Sequence, residues 1–148
     1  MDALPALGHF LDQEHHFVLR VYFEDTDLTG MVYHANYLRY MERARSDMLL
    51  AAGIDQRAAQ EAGKGAYAIR NLGIRYRAPA RLGDELTVVT RLLRLRAASV
   101  DIHQRVMREN DILSEADVEA AFVTPQGRAS RQPGEWLAAF EPLIWKGN

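Results

Sequence analysis

The chain contains no cysteine among its 148 residues, which excludes disulfides, thiolate metal sites and a cysteine nucleophile. It has no excess of basic charge, since the formal net charge is -2, and nucleic acid is therefore not predicted as a partner. No apolar run approaches the roughly 20 residues of a membrane span, and the N-terminus lacks the apolar segment of a signal peptide. These absences predict a cytoplasmic protein with no transmembrane segment.

The composition is that of an ordinary globular domain. Hydrophobic residues make up 48% of the chain and charged residues 26%, as in proteins that fold around an apolar core. A length of 148 residues fits one domain, and no repeat or linker divides it.

Two patterns in the first third of the chain predict a strand followed by a long helix. Apolar residues alternate over residues 17–23, as in a strand with one buried face. Helical spacing starts at Tyr37, with Asn36 as a candidate N-cap and Gly53 as a stop signal. The predicted buried stripe of this helix consists of Tyr37, Tyr40, Met41, Ala44, Met48 and Ala51.

The rest of the chain predicts a short helix over residues 55–63 and then mainly strands. Alternating segments follow at residues 66–82, 85–96, 100–106 and 116–122. Pro79 marks a bulge, an edge or an exit from the first of these strands, and short turns join the last three into an antiparallel meander. Pro133 starts a short terminal helix. The order predicts an α+β fold with one helix packed on an antiparallel sheet.

The run "EDTDLTGMVYHANYL", residues 24–38, concentrates polar groups between the predicted strand and the long helix. A calcium loop is one interpretation, because Asp25 and Asp27 begin like an EF-hand. However, the twelfth loop position is Asn36 instead of the required glutamate, and a strand instead of a helix precedes the loop. His34 has no second ligand at a metal-site spacing. Metal binding is therefore not predicted.

Two interpretations of this run remain open from the residues alone. The first helical turn presents backbone N–H groups that can hold negative charge on an oxygen, and a carboxylate in the same loop could act as nucleophile or general base. That combination suits acyl transfer or hydrolysis. Alternatively, Asp25 and Asp27 are only turn formers and Asn36 only a cap. The adjacent His15 and His16 are interpreted as surface residues.

The segment "RVYFEDTDLTGMVYHANYLRYMERARSDML", residues 20–49, resembles the signature of hotdog-fold acyl-CoA thioesterases of the 4-hydroxybenzoyl-CoA thioesterase type. It is most similar to the subgroup associated with the bacterial Tol–Pal envelope system, and "YRAPARLGDELTV", residues 76–88, is similar to the same family. The resemblance implies a hotdog fold: a long central helix wrapped by an antiparallel β-sheet. It also implies one domain over residues 1–148, with residues 1–13 as an N-terminal extension and residues 133–148 as a C-terminal tail. Homodimers or homotetramers with active sites between subunits are expected.

The resemblance also implies roles for single residues. Asp27 matches the family's catalytic carboxylate, and His34 matches the position whose backbone N–H polarises the thioester carbonyl. Met31 departs from the small β-branched residue that is usual there, and could reshape the acyl pocket. The predicted substrate-binding residues are Met31, Tyr33, Tyr37 and Glu42. No metal and no cofactor is implied.

Several of these positions also have a simpler interpretation. Tyr33 and Tyr37 could serve only in packing, and Glu42 could pair with Arg39 or Arg45 on the helix surface. Asp25 is expected to orient the loop instead of reacting. Some basic residues of a solvated sheet face could contact CoA phosphates, namely Arg75, Arg77, Arg81, Arg94 and Arg96.

The predicted function is hydrolysis of acyl-CoA or acyl-carrier-protein thioesters. One alternative is a hydroxyacyl dehydratase with the same fold, which would use His34 and Glu42 as base and acid. The other is a non-catalytic acyl-CoA binding or scaffold module, associated with envelope or lipid-synthesis proteins. An intact Asp27 favours the hydrolase.

Overall fold

In the computed structural model, which describes residues 7–147, six strands form one antiparallel sheet and a helix of 16 residues lies against it. The strands are β1 (His9–Leu11), β2 (Glu14–Arg20), β3 (Ala66–Tyr76), β4 (Glu85–Leu95), β5 (Ser99–Arg108) and β6 (Asp111–Val123). The helices are α1 (Asn36–Ala51), α2 (Gln56–Glu61) and α3 (Gly134–Phe140), with 3₁₀ turns at Phe23–Asp25 and Glu141–Leu143. The strand order is β1-β2-β4-β5-β6-β3. None of the described helices is long and apolar enough to cross a membrane.

The apolar stripe of α1 forms the centre of the core, as the helical spacing predicts. Tyr37, Tyr40, Met41, Ala44 and Met48 are buried together with inward-facing residues of the sheet, such as Val88, Val106 and Val118. Ala51 was wrongly placed in this stripe. It is exposed, because α1 ends there and the chain turns away through Gly53, whose φ is +82°.

The N-terminus of α1 differs from the expectation in one respect. Ala35 is the N-cap and Asn36 is the first helical residue. The Asn36 side chain does not cap the helix, because its Nδ2 donates instead to the backbone oxygen of Asp25, 2.8 Å away. The helix start is thus tied to the preceding loop.

The first predicted strand is shifted toward the N-terminus. β2 ends at Arg20, its last residue paired with β4, and the next residues turn back on the loop between Arg81 and Glu85 through hydrogen bonds of Val21 with Gly83 and Asp84. Phe23 therefore lies in a 3₁₀ turn and is 81% exposed. The predicted N-terminal extension is described from residue 7 onward, where it includes β1; residues 1–6 lie outside the described part.

The later strands agree with the pattern more closely. β4, β5 and β6 are consecutive antiparallel neighbours, which confirms the predicted meander. The strand predicted over residues 66–82 ends at Tyr76, because the N–H groups of Arg77 and Ala78 both donate to the Leu113 oxygen and Pro79 has no N–H to continue the pairing. α3 starts directly after Pro133, which is its N-cap.

The prediction that His15 lies at the surface is wrong. Its side chain is fully buried, and Nε2 lies 3.0 Å from Oδ2 of Asp47 on α1. The same oxygen accepts the Gly8 N–H at 2.8 Å. His15 is in phase with the alternating positions of β2 that face α1, so extending the pattern two residues back from Phe17 would have placed it inside.

Candidate active site

The loop that joins β2 to α1 folds back on itself around Asp27. The Asp27 N–H donates to the Met31 oxygen at 2.8 Å, and the Gly30 N–H donates to the Asp27 oxygen at 3.1 Å. Gly30 has a φ of +79°, a conformation that glycine adopts without steric cost. The tight turn presents the Asp27 side chain to solvent.

The two oxygens of the Asp27 carboxylate have different surroundings. Oδ1 accepts both the Thr29 N–H, at 2.8 Å, and the Thr29 hydroxyl, at 2.5 Å. No group within residues 7–147 donates to Oδ2. The hydrogen bonds from Thr29 hold the pKa of Asp27 below its ordinary value, because they stabilise the charged form. Asp27 is therefore ionised at neutral pH, with one oxygen fixed and the other open.

His34, which directly precedes the N-cap of α1, offers a backbone donor. The Tyr33 oxygen accepts the Asn36 N–H at 2.8 Å, and the His34 oxygen accepts the Tyr76 hydroxyl at 2.9 Å. In the described part of the chain the His34 N–H has no acceptor. It is available to hold an oxygen that gains negative charge.

Asp25 connects the loop to the helix start. Its backbone oxygen accepts the Tyr33 N–H at 3.0 Å and the Asn36 side chain at 2.8 Å. Its carboxylate accepts the Tyr22 N–H at 2.9 Å. These contacts fix the positions of Asp27 and His34 relative to each other.

Asp27 and the start of α1 open into one surface pocket of about 330 Å³. Four predicted site residues lie together there, namely Asp27, Met31, His34 and Tyr37. Tyr37 is nearly fully buried, and its hydroxyl accepts the Ala80 N–H at 2.9 Å. Burial raises the pKa of Tyr37, so its phenol stays neutral. The other lining residues are Val32, Tyr76, Arg77, Ala78 and Pro79.

Two predicted substrate-binding residues do not line this pocket. The Tyr33 ring is half exposed and lies against the His34 ring, with centroids 4.5 Å apart. Glu42 lines a separate cavity of about 110 Å³, whose other lining residues come from α1, α2, α3 and strands β3 to β6. Within residues 7–147 it forms no ion pair with Arg39 or Arg45, and Arg45 instead donates to Gln104 at 2.9 Å.

Sequence reasoning missed the parts that Thr29 and Tyr76 take in the site. Thr29 follows Asp27 by two residues, a spacing at which a hydroxyl commonly bonds a neighbouring side chain or backbone group. Tyr76 lies in a segment quoted for its family resemblance, but no local pattern relates it to His34, 42 positions away. Among the described residues, no cluster of three or more histidine or acidic side chains could hold a metal ion.

The arrangement combines two elements of acyl chemistry. Oδ2 of Asp27 is an ionised oxygen that can attack a carbonyl carbon or take a proton from water. The His34 N–H can stabilise the negative charge that develops on the carbonyl oxygen.

Comparison with known proteins shows the family of the chain. Residues 21–140 match the model of the Thioesterase-like superfamily. The chain belongs to this family. It is 42% identical over 108 residues to "Acyl-CoA thioester hydrolase YbgC" of Escherichia coli O6:H1, covering 72% of this chain and 80% of the relative. It is 40% identical to "Acyl-CoA thioesterase YbgC" of Haemophilus influenzae, covering 90% and 98%.

Solved structures agree with the family assignment. A probable thioesterase from Bartonella henselae superposes with a TM-score of 0.77 at 35% identity, covering 81% of this chain and 99% of that chain. A 1,4-dihydroxy-2-naphthoyl-CoA thioesterase from Synechocystis, at 22% identity and a TM-score of 0.79, shares the fold; it covers 85% and 94%. The hotdog fold and the prediction of a thioester hydrolase are confirmed for this thioesterase-like protein, while the roles of single residues stay predictions.

Proposed function

We propose that this protein hydrolyses acyl-CoA thioesters, with Asp27 as the reacting carboxylate and the His34 N–H as the group that polarises the thioester carbonyl. One observation carries the proposal. Asp27 and His34 line the same pocket, and within residues 7–147 the Oδ2 atom of the ionised Asp27 receives no hydrogen bond and the His34 N–H has no acceptor. A module that only binds acyl-CoA would not require a carboxylate oxygen that is free to react next to the thioester carbonyl.

Two routes fit this geometry and give the same products. In the first, Oδ2 of Asp27 attacks the carbonyl carbon, the C–S bond breaks, and water then hydrolyses the mixed anhydride. In the second, Asp27 takes a proton from a water molecule while that water attacks the carbonyl carbon. In both, the His34 N–H stabilises the oxyanion, the sulfur leaves as a thiolate that takes a proton, and a free acid is released.

Arg77 supports a nucleotide-linked substrate. It is the member of the predicted basic set that lines the pocket, and it shares Glu115 with Arg75 at 2.9 and 3.0 Å. A half-exposed guanidinium at the rim of the pocket could contact a phosphate of CoA. An acyl-carrier protein would present its phosphopantetheine arm to the same rim. Turnover of acyl-CoA and of acyl-carrier protein with the same acyl group, measured side by side, shows which of the two is the substrate.

The open edge of β3 supports assembly into at least a homodimer. Within the described residues β3 pairs only with β6, which leaves 11 residues of strand edge without a partner. Such edges are normally paired or covered, and antiparallel pairing of two copies about a twofold axis would close both. β3 ends at Tyr76, which lines the pocket, so a second subunit would lie beside the site.

Sedimentation tests the assembly. A dimer or tetramer is expected at micromolar concentration, and a fully active monomer would contradict the proposal. Cytoplasmic localisation rests on the lack of an apolar run and of a signal-peptide segment in the sequence, whereas association with envelope or lipid-synthesis proteins rests on the resemblance. Both stay predictions.

Thiol release from a panel of acyl-CoA substrates, followed with a chromogenic thiol reagent, tests the activity. Asp27→Asn keeps the shape of the side chain but removes its charge, so turnover should fall roughly 100-fold or more while acyl-CoA affinity changes little. Asp25→Asn is the matched variant and should cost less, because the Asp25 carboxylate accepts the Tyr22 N–H within the loop and Asp25 is not among the described residues that line the pocket.

Three outcomes would contradict the proposal. A folded Asp27→Asn protein with wild-type turnover would remove the mechanism. Binding of acyl-CoA without thiol release would favour a binding module. Dehydration of hydroxyacyl-CoA without thiol release would favour the dehydratase.

A further inference from the structure

The hydroxyl of Thr29 holds the carboxylate that the proposed function uses. Oγ1 lies 2.5 Å from Oδ1 of Asp27, and the Thr29 N–H reaches the same oxygen at 2.8 Å. The Thr29 side chain is exposed and contributes nothing to the apolar core. Its hydroxyl is therefore not explained by packing.

The two hydrogen bonds from Thr29 have different consequences. The N–H bond is the ordinary turn contact of an aspartate with the backbone two residues on, and it needs no particular side chain at position 29. The hydroxyl adds a second donor to the same oxygen. The last side-chain torsion of an aspartate is broad and roughly two-fold, so a single bond allows the carboxylate to rotate. Two donors on Oδ1 restrict that rotation and keep Oδ2 free.

No other side chain in the described range shares this task. His34, Tyr37, Tyr76 and Arg77 line the same pocket, but within residues 7–147 none of them donates to the Asp27 carboxylate. The Asp25 carboxylate is engaged by the Tyr22 N–H. The orientation of Asp27 is thus set by Thr29.

We propose that the Thr29 hydroxyl is a positioning group for Asp27, which fixes Oδ1 so that Oδ2 points at the thioester carbonyl carbon or at the attacking water. The proposal rests on the proposed function of Asp27. The hydroxyl also favours the ionised carboxylate, because it donates to a charged oxygen. It thereby maintains both the direction and the charge of the reacting group.

Thr29→Ala is the decisive variant, because it removes the hydroxyl and keeps the N–H bond of the turn. Turnover should fall about 10-fold, with a smaller change in KM, since Thr29 is not among the described residues that line the pocket. Thr29→Ser restores a hydroxyl and should recover most of the loss. Thr29→Val keeps the branched shape without the hydroxyl and should behave like Thr29→Ala.

The carboxyl pKa of Asp27 provides a readout that a merely structural role would not change. It can be followed by ¹³C NMR titration of labelled aspartate, with Asp27→Asn identifying the signal. The pKa should rise in Thr29→Ala and Thr29→Val and return toward the wild-type value in Thr29→Ser. Thr26→Ala is the matched control, because the Thr26 hydroxyl donates to the Phe23 oxygen at 2.8 Å and not to Asp27. It should leave turnover and the Asp27 pKa unchanged.

The outcomes separate this inference from the proposed function. If Asp27→Asn is inactive while Thr29→Ala and Thr29→Val keep wild-type turnover and an unchanged Asp27 pKa, the positioning role is wrong and the function stands. If folded Asp27→Asn is fully active, the proposed role of Asp27 is wrong, and the positioning role of Thr29, which depends on it, is wrong as well. If Thr29→Ala is unstable in thermal unfolding, turnover and the Asp27 pKa are compared between Thr29→Val and Thr29→Ser. Equal values in these two variants would contradict the positioning role.

Discussion

Two aspartates in this protein, Asp27 and Asp47, carry the same group in opposite surroundings. Asp27 is exposed, and its carboxylate is held by Thr29, two residues away. Asp47 is buried on α1 and accepts hydrogen bonds from Gly8 and His15, which are 39 and 32 positions away. Contacts within a turn orient a carboxylate and leave an oxygen free for chemistry. Contacts from distant segments link Asp47 on α1 to His15 of β2 and to Gly8, the residue before β1.

The largest effect on stability is expected at the buried aspartate. Asp47→Ala leaves the Gly8 N–H and the His15 ring without their acceptor, so the free energy of unfolding should fall by about 3 kcal/mol. Asp27→Ala, at an exposed position, should change it by less than about 0.5 kcal/mol. Urea denaturation measures both. Turnover per folded molecule should fall strongly in Asp27→Ala and little in Asp47→Ala. Equal losses of stability in the two variants would contradict the comparison.

A smaller effect is expected at the glycines of the two regions. A Cβ on Gly8 would collide with the His16 oxygen, the Asp47 carboxylate and the His15 ring, so Gly8→Ala should cost about 1–3 kcal/mol of stability. A Cβ on Gly30 meets nothing within 4 Å, and Gly30→Ala should cost about 1 kcal/mol through its positive φ alone.

Thermal unfolding together with thiol release distinguishes the two glycine variants. Gly8→Ala should lose stability and keep its turnover when folded, whereas Gly30→Ala should also lose turnover, because it strains the turn that carries Asp27. Loss of turnover in folded Gly8→Ala would show that the two regions are coupled.

The smallest effect concerns pH. Burial lowers the pKa of His15 from its ordinary value of 6.5. The negative charge of Asp47 opposes this shift, and repulsion from His16 and His9 adds to it. Protonation would also place a donor on Nδ1, which has no hydrogen-bond partner in the described part of the chain. The unfolded chain therefore takes up a proton at higher pH than the folded chain. Stability from the neutral ring is complete above about pH 6.5 and is lost as pH falls toward the folded-state pKa.

Urea denaturation at several pH values between 7.5 and 5.5 tests this dependence. The wild-type protein should become less stable as pH falls through this range, and His15→Gln should flatten the curve. A wild-type stability that rises toward pH 5.5 would show that the Asp47 attraction outweighs burial.

Sequence reasoning succeeded where structure depends on neighbouring residues. The stripe of α1 and the alternation of β4 to β6 repeat with the period of their elements, because each residue's direction follows from the one before it. The donors and acceptors of the turn around Asp27 also lie within a few positions, although the hydrogen bonds of Thr29 were missed. His15 was wrongly predicted to be exposed although it is in phase with Phe17. A polar side chain suggests a surface position, and its buried partner Asp47 is distant in the sequence.

The sequence by itself determined the α+β class, through the local spacing of its apolar residues, and the family resemblance, which implies Asp27 as the reacting carboxylate. Only the tertiary structure decided that Asp47 and His15 form a buried pair, that Tyr76 and Arg77 line the pocket of Asp27, and that Glu42 faces a different cavity. These relations join segments more than 30 positions apart. Their geometry is set by how α1 packs across the sheet, and no local periodicity contains that information.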